Sequence, residues 1–206
     1  MPIEFIYFDL GNVLLHFDHQ LACRQMGEVA GLAAEKVWDA VFAGDLEQRY
    51  ESGALDDRGF YDEFCRATGT NPDFDRLLLA GSEIFRPNVS VIPIVSQLDA
   101  AGYRMGILSN TCPAHWAYCA TGRYTLIRDC FDVFALSYEL GACKPNPEIF
   151  RRAAELARAK PEQIFYVDDI PGHVAAARKA GFDAVQYTSA PQLARDLRER
   201  GVTFNY

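Results

Sequence analysis

One phrase occurs twice in this chain and restricts its fold more than any other feature. Ala101-Gly102-Tyr103 runs into Ile107-Leu108-Ser109, and Ala180-Gly181-Phe182 runs into Val185-Gln186-Tyr187. In each, a helical stretch closes at a glycine suited to a left-handed cap, and an apolar run follows. Helix, glycine, strand is the rhythm of βαβ units, which build a parallel sheet covered by helices. The flanking segments agree. Residues 3–8, 103–108, 133–136, 163–167 and 184–187 read as strands, rich in β-branched and aromatic side chains. Residues 89–101, 114–127, 174–180 and 191–200 read as helices, and so does a stretch from Asn146, an N-cap with Pro147 at the first helical position, to about 159.

Between the first strand and this alternating series the pattern changes. Val37, Trp38, Val41 and Phe42, then Phe60, Tyr61 and Phe64, recur at helical spacing, and no strand is expected there. The expected architecture is α/β: a doubly wound, parallel, Rossmann-like sheet with an inserted all-helical cap. Residues 1–17 and 87–206 form the core and residues 18–86 the cap.

The balance of 20 Lys+Arg against 28 Asp+Glu, a net charge of −8, opposes a polyanionic partner, so nucleic acid is not expected. Small anions remain compatible with a local positive site. The six cysteines form no C-x-x-C pair, and a chain of 206 residues needs no disulfide to close a core. The first fifteen residues carry Glu4 and Asp9 and lack the basic start of a signal peptide, and no apolar run approaches the ~20 residues of a membrane span. A cytoplasmic protein without a membrane partner is expected. The oligomeric state is not legible.

Ligands of open α/β sheets bind beyond the carboxyl ends of the strands. The residues at those ends are Asp9, Ser109-Asn110, Ser137 and Asp168-Asp169. Carboxylates at the tips of apolar runs are costly unless paired or bound to a cation. Three of them at one sheet edge suit a hard divalent ion such as Mg²⁺, which takes a few carboxylates plus water and phosphate oxygens. Lys144, ahead of Pro145 and Pro147, is a counter-charge for Asp9 and a bound anion, and Ser109 and Asn110 offer hydroxyl, amide and backbone donors to that anion.

Phe8-Asp9-Leu10-Gly11-Asn12-Val13, Leu108-Ser109-Asn110, Lys144-Pro145 and Val167-Asp168-Asp169 resemble, in order, the four motifs of the haloacid dehalogenase-like (HAD) hydrolase superfamily. The helical insert after the first motif resembles its C1-type cap. The wording of the first motif and the phrase Tyr50-Glu51-Ser52-Gly53-Ala54-Leu55 resemble the small bacterial sugar-phosphatase branch that includes α-D-glucose-1-phosphate phosphatase. The resemblance implies a Mg²⁺-dependent phosphohydrolase acting on a small phosphorylated metabolite such as a sugar phosphate. It implies Asp9 as the nucleophile that forms an aspartyl-phosphate. It implies Asp9, the backbone carbonyl of Gly11, Asp168 and Asp169 as metal ligands. Ser109, Asn110 and Lys144 would hold the phosphoryl group, with Lys144 also keeping Asp9 ionised.

One position departs from the pattern. Phosphatases of this superfamily usually carry a second Asp two residues after the nucleophile as general acid and base, and here that residue is Gly11. Losing a general acid costs about 10²–10⁴-fold. Two explanations are open: His16, Asp18 or a water replaces it, or the substrate has a good leaving group such as an anomeric hydroxyl. The second is preferred, because Gly11 also leaves room beside the phosphate. Tyr50, Glu51, Phe60 and Tyr61 are read first as cap packing and second as pocket lining. Two other functions are weighed: a 2-haloacid dehalogenase using the same nucleophile without metal, which leaves Asp168-Asp169 idle, and a non-catalytic regulatory protein of the same fold, favoured only by Gly11.

Overall fold

A computed structural model describes residues 2–206. Its centre is β1 (Phe5–Phe8), four residues that are all buried. Around it, β4 (Met105–Ser109), β5 (Val133–Leu136), β6 (Ile164–Asp168) and β7 (Asp183–Gln186) form a sheet in the order β5-β4-β1-β6-β7. Every pairing is parallel. Strands buried on both faces read as unbroken apolar runs, which is why Phe5-Ile6-Tyr7-Phe8 and Ile164-Phe165-Tyr166-Val167 show no polar alternation.

The side-chain period of two divides each run between two cores. Ile6, Phe8, Phe165 and Val167 face α6 (Ile92–Ala100), α8 (Thr125–Cys130) and α12 (Ala190–Glu199) through Ile94, Leu98, Ile127, Leu193 and Leu197. Phe5, Tyr7 and Tyr166 face α10 (Pro147–Ala157) and α11 (Pro171–Lys179) through Ile149, Phe150, Val174 and Ala177. Each such large side chain contributes roughly 1.5–3 kcal/mol by leaving water. The Tyr7 hydroxyl satisfies itself by donating to the Ala153 carbonyl at 2.9 Å. Gly106 is required opposite these rings: a Cβ there would lie 2.6 Å from Tyr7 Cε1 and 2.7 Å from the Val133 carbonyl oxygen.

After β1 the chain makes a tight turn, with Asn12 in the left-handed region at φ 55°, into the two-residue strand β2 (Leu15–His16). β2 pairs antiparallel with β3 (Arg86–Pro87). Between them lie α1 (His19–Ala30), α2 (Ala34–Val41), α3 (Leu46–Glu51), α4 (Asp57–Thr68) and α5 (Phe74–Ser82). Asp18, Asp56 and Asp73 cap the N-termini of α1, α4 and α5 through side-chain bonds to backbone N–H groups. Val37, Leu46, Phe60, Phe64 and Leu77 give these helices their own apolar core.

The chain departs from the expectation in a few places. The helix expected over 114–127 is two helices, α7 (Pro113–Ala120) and α8, because Gly122 at φ 89° turns the backbone between them. A short helix α9 (Ser137–Leu140) follows β5 and was not expected, and neither was the β2–β3 ribbon, too short to show a period. α11 begins three residues earlier than expected, with Pro171 at its start. Among the described residues, no helix is long and apolar enough to cross a membrane, and all six cysteines are free.

Candidate active site

The carboxyl ends of β1, β4 and β6 bring Asp9, Ser109 and Asp168 to one edge of the sheet, because these strands are adjacent and parallel in register. Asp9 continues the ladder, its N–H donating to the Val167 carbonyl at 2.9 Å. Carboxylate oxygens of Asp9, Asp168 and Asp169 lie within 4.8 Å of one another. Asp9 and Asp168 are buried and Asp169 is half-buried.

Lys144 answers this charge from the loop before α10. Its side chain is 1% exposed, and Nζ donates to Asp9 Oδ1 at 2.8 Å and Asp168 Oδ2 at 2.7 Å. The Leu108 carbonyl at 3.1 Å and the Tyr166 hydroxyl at 2.9 Å complete its shell. An ammonium has three donors. Those of Lys144 are therefore committed behind the carboxylates, and a phosphoryl group would feel its charge rather than a hydrogen bond. Asn110 fixes the lysine backbone: its Oδ1 accepts from Lys144 N at 2.7 Å and its Nδ2 donates to Lys144 O at 3.0 Å. The Asn110 amide expected to meet an anion is thus held in place by the Lys144 backbone, leaving one Nδ2 hydrogen and its backbone N–H as candidate donors.

Electrostatics differ among the three acids. Burial raises Asp168, yet Lys144, His173 and Tyr166 outweigh it and hold the carboxyl well below the usual range. His173 Nδ1 lies 3.1 Å from Asp168 Oδ2, the Ile170 N–H donates to Oδ1 at 2.8 Å, and the Tyr166 hydroxyl also donates to Oδ2. Burial pushes Asp9 up to about 7, with Asp168 and Asp169 adding to the rise and Lys144 opposing it. Asp169 is also raised, by burial first, although Asn12 Nδ2 donates to its Oδ2 at 3.2 Å. Three carboxylates against one ammonium leave an excess of negative charge that hard oxygen ligands share best with a divalent cation. Among the described residues, Asp9 Oδ2 and Asp169 Oδ1 accept no hydrogen bond, so both are open to such an ion.

A cavity opens above these strand tips, lined by Gly11, Phe17, His19, Glu51, Ser109 and Asn110 among others. The space expected beside Gly11 is filled: a Cβ on Gly11 would lie 2.8 Å from Phe17 Cε1. Neither proposed substitute acid lines this cavity. His16 is exposed on the β2–β3 ribbon, and Asp18 accepts from Leu21 N at 3.1 Å as the cap of α1. Tyr50, Phe60 and Tyr61 are packed in the apolar core of the helical insertion; Tyr50 and Phe60 also line a second, apolar cavity there, and Glu51 reaches both cavities.

Sequence reasoning missed Tyr166, His173 and Asn12 as partners of the acids. The first had a signal: Tyr166 and Asp168 are two apart in a strand and so share one face. His173 had none, because its contact depends on where α11 begins.

The chain belongs to the haloacid dehalogenase-like hydrolase family, whose model matches residues 3–181. It is 24% identical over 202 residues to D-ribitol-5-phosphate phosphatase of Bacteroides thetaiotaomicron, covering 96% of each chain. It is 29% identical over 175 residues to glyceraldehyde 3-phosphate phosphatase of Methanopyrus kandleri, covering 80% of this chain and 72% of that one. Among solved structures, a HAD family enzyme of Bacteroides thetaiotaomicron in complex with magnesium and inorganic phosphate superposes with a TM-score of 0.80. It is 22% identical, and the match covers 91% of this chain and 96% of that one.

Proposed function

We propose that this chain is a Mg²⁺-dependent phosphohydrolase that uses Asp9 as nucleophile on a small phosphorylated metabolite, a sugar or polyol phosphate being the expected kind. The observation that carries this reading is the cluster of Asp9, Asp168 and Asp169 around the buried Lys144 ammonium. The named activities of the two phosphatase relatives support the substrate class. A metal-free dehalogenase has no use for the Asp168-Asp169 pair, and a regulatory protein has none for a charge cluster this costly to bury.

In this reading residues 1–17 and 87–206 are the catalytic core and residues 18–86 a cap over it. Asp9, the Gly11 carbonyl and Asp168 would hold the ion, Asp168 through Oδ1, which accepts only from the Ile170 N–H, with Asp169 direct or through water. When bound, the ion neutralises charge between nucleophile and phosphoryl oxygens. An Asp9 oxygen forms a bond to phosphorus as the bond to the leaving oxygen breaks. Water then attacks the aspartyl-phosphate, releasing inorganic phosphate and restoring the carboxylate. Ser109 Oγ, which here donates to the Asn110 carbonyl at 3.1 Å, would turn to the equatorial oxygens beside the Asn110 N–H, while Lys144 keeps Asp9 aimed and Asp168 ionised.

Phosphate release from p-nitrophenyl phosphate with Mg²⁺ tests this. Activity lost with EDTA and in Asp9→Asn is expected, and a wild type that releases halide from 2-haloacids without metal would refute it. A panel of sugar and polyol phosphates, 1-phosphates compared with 5- and 6-phosphates, then assigns the substrate.

A further inference from the structure

The cavity holds one acid that the reading above leaves unused. Glu51 is the last residue of α3 and lies in the helical insertion, yet it lines the same cavity as Gly11, Ser109 and Asn110. Its backbone is fixed to the core. Its carbonyl accepts from Ser137 Oγ at 2.6 Å, and Ser137, fully buried, in turn accepts from Thr111 N at 2.9 Å. Two residues on, Gly53 sits against the core backbone so closely that a Cβ would lie 2.2 Å from the Tyr138 carbonyl oxygen. The Glu51 carboxyl itself has no hydrogen bond and no ion pair among the described residues. A half-buried carboxyl that lines the cavity beside Gly11, Ser109 and Asn110 with no partner is an acid without a structural task.

The other titratable groups around the cavity are poorly suited to deliver a proton. His115 Nε2 lies 3.2 Å from the Gly81 carbonyl, and burial lowers the imidazole to about 4. His19 is lowered by burial and lies 3.6 Å from Glu47 Oε1. Both are neutral near pH 7. Glu51 is shifted the opposite way. Burial raises it first, Glu47 on its own helix and Asp9 just past β1 add to the rise, and Lys144 opposes them, with the carboxyl pushed up to about 8. Cys112 and Cys143 face it as thiols that burial keeps protonated.

Resting on the phosphohydrolase reading, we propose that Glu51 is the general acid and base of the reaction, supplying from the cap side of the cavity the role that Gly11 cannot fill. In the first step Asp9 bonds to phosphorus, the phosphorus–oxygen bond to the leaving group breaks, and the leaving oxygen takes the Glu51 proton. In the second, water bonds to phosphorus, the Asp9–phosphorus bond breaks, and the water proton returns to the Glu51 carboxylate. Acid and base thus regenerate each other, and no further reagent is consumed.

Glu51→Gln keeps the shape and breaks no side-chain hydrogen bond, so the fold is expected to persist. The test compares it with the wild type across phosphate esters whose leaving groups have pKa values from about 4 to about 14, because the need for a proton donor rises with leaving-group basicity. For alkyl esters such as sugar 6-phosphates, kcat/KM falls by about 10²–10⁴-fold. For 2,4-dinitrophenyl phosphate the first step is nearly unchanged, and slow hydrolysis of the aspartyl-phosphate produces a burst of dinitrophenol stoichiometric with enzyme. Glu51→Asp, which retains the carboxyl but withdraws it, gives the same selectivity with a smaller loss and serves as a second variant. An equal loss on alkyl and aryl esters, or no loss on alkyl esters, would overturn the proposal and leave the phosphohydrolase reading intact. A wild type inactive on every ester, with Mg²⁺ present, would instead end both.

Discussion

Replacing Lys144 by Met removes one charge from a site with almost no water. Lys144 is 1% exposed, Asp168 0% and Asp9 9%, and the two contacts are 2.7 and 2.8 Å. Met keeps nearly the same volume, so the change isolates the ammonium. Breaking a buried pair by removing one partner costs about 3–5 kcal/mol, because the remaining charges are stranded. For a domain of this size that corresponds to a fall in Tm of roughly 6–20 °C. Urea unfolding followed by circular dichroism, in EDTA at pH 8, measures it. The loss should shrink on acidification. Without Lys144, Asp9, already raised in the native fold, rises further above its unfolded value. A group whose folded pKa is raised stabilises the fold below its unfolded pKa, and that stability is lost as pH rises through the folded value. The variant therefore approaches the wild type toward pH 5. Adding Asp168→Asn should recover about 0.5–3 kcal/mol, the coupling expected of groups in one network. A loss below about 1 kcal/mol at pH 8, independent of pH, would refute the account of Lys144 as the compensating charge.

Gly53→Ala should detach the end of α3 from the core, because the Tyr138 carbonyl it meets is backbone and cannot yield; kcat should fall more than tenfold while far-ultraviolet dichroism is retained. Gly11→Ala should cost about 1–3 kcal/mol by pushing into the Phe17 ring, and Phe17→Leu should restore part of it, as paired urea titrations would reveal. His115, lowered to about 4 in the fold, takes up a proton later than the unfolded chain does, so stability falls as pH drops from about 6.5 toward 4, by up to about 3 kcal/mol. The difference between wild type and His115→Gln over that interval reads it, and a constant difference would count against the neutral imidazole. Mg²⁺ at a hundred times its dissociation constant should add about 2.7 kcal/mol to the unfolding free energy, and Asp169→Asn should abolish most of that gain in a thermal-shift titration.

What could be read from the residues, and what could not, follows from range. β1 and β6 were legible because a strand buried on both faces must be apolar throughout, and their terminal acids stood out against Ile6-Tyr7-Phe8 and Phe165-Tyr166-Val167. The convergence of Asp9 with Asp168 followed from the parallel order that two glycine-capped helices implied. The engagement of the Asn110 side chain by the Lys144 backbone was not legible: it joins residues 34 apart in sequence, and the same residue types suit an anion equally well. Phe17 could not be placed against Gly11, since that depends on the turn through Asn12 at positive φ. Glu51 could be read only second as pocket lining, because it lies between Tyr50 and the glycine turn in a helix too short to show which face is buried.

The ribbon of β2 and β3 has a consequence for how such a chain can change. Leu15 faces Pro87 and His16 faces Arg86, so the polypeptide leaves the sheet and comes back at neighbouring points. The span to be bridged is the same whatever lies between, and lengthening a connection whose ends already meet costs little, about 0.6 kcal/mol per doubling. The five intervening helices are in that sense exchangeable cargo. A replacement segment of different size could be grafted at this junction without disturbing strand register, provided it shields the face of α7 that α5 now covers.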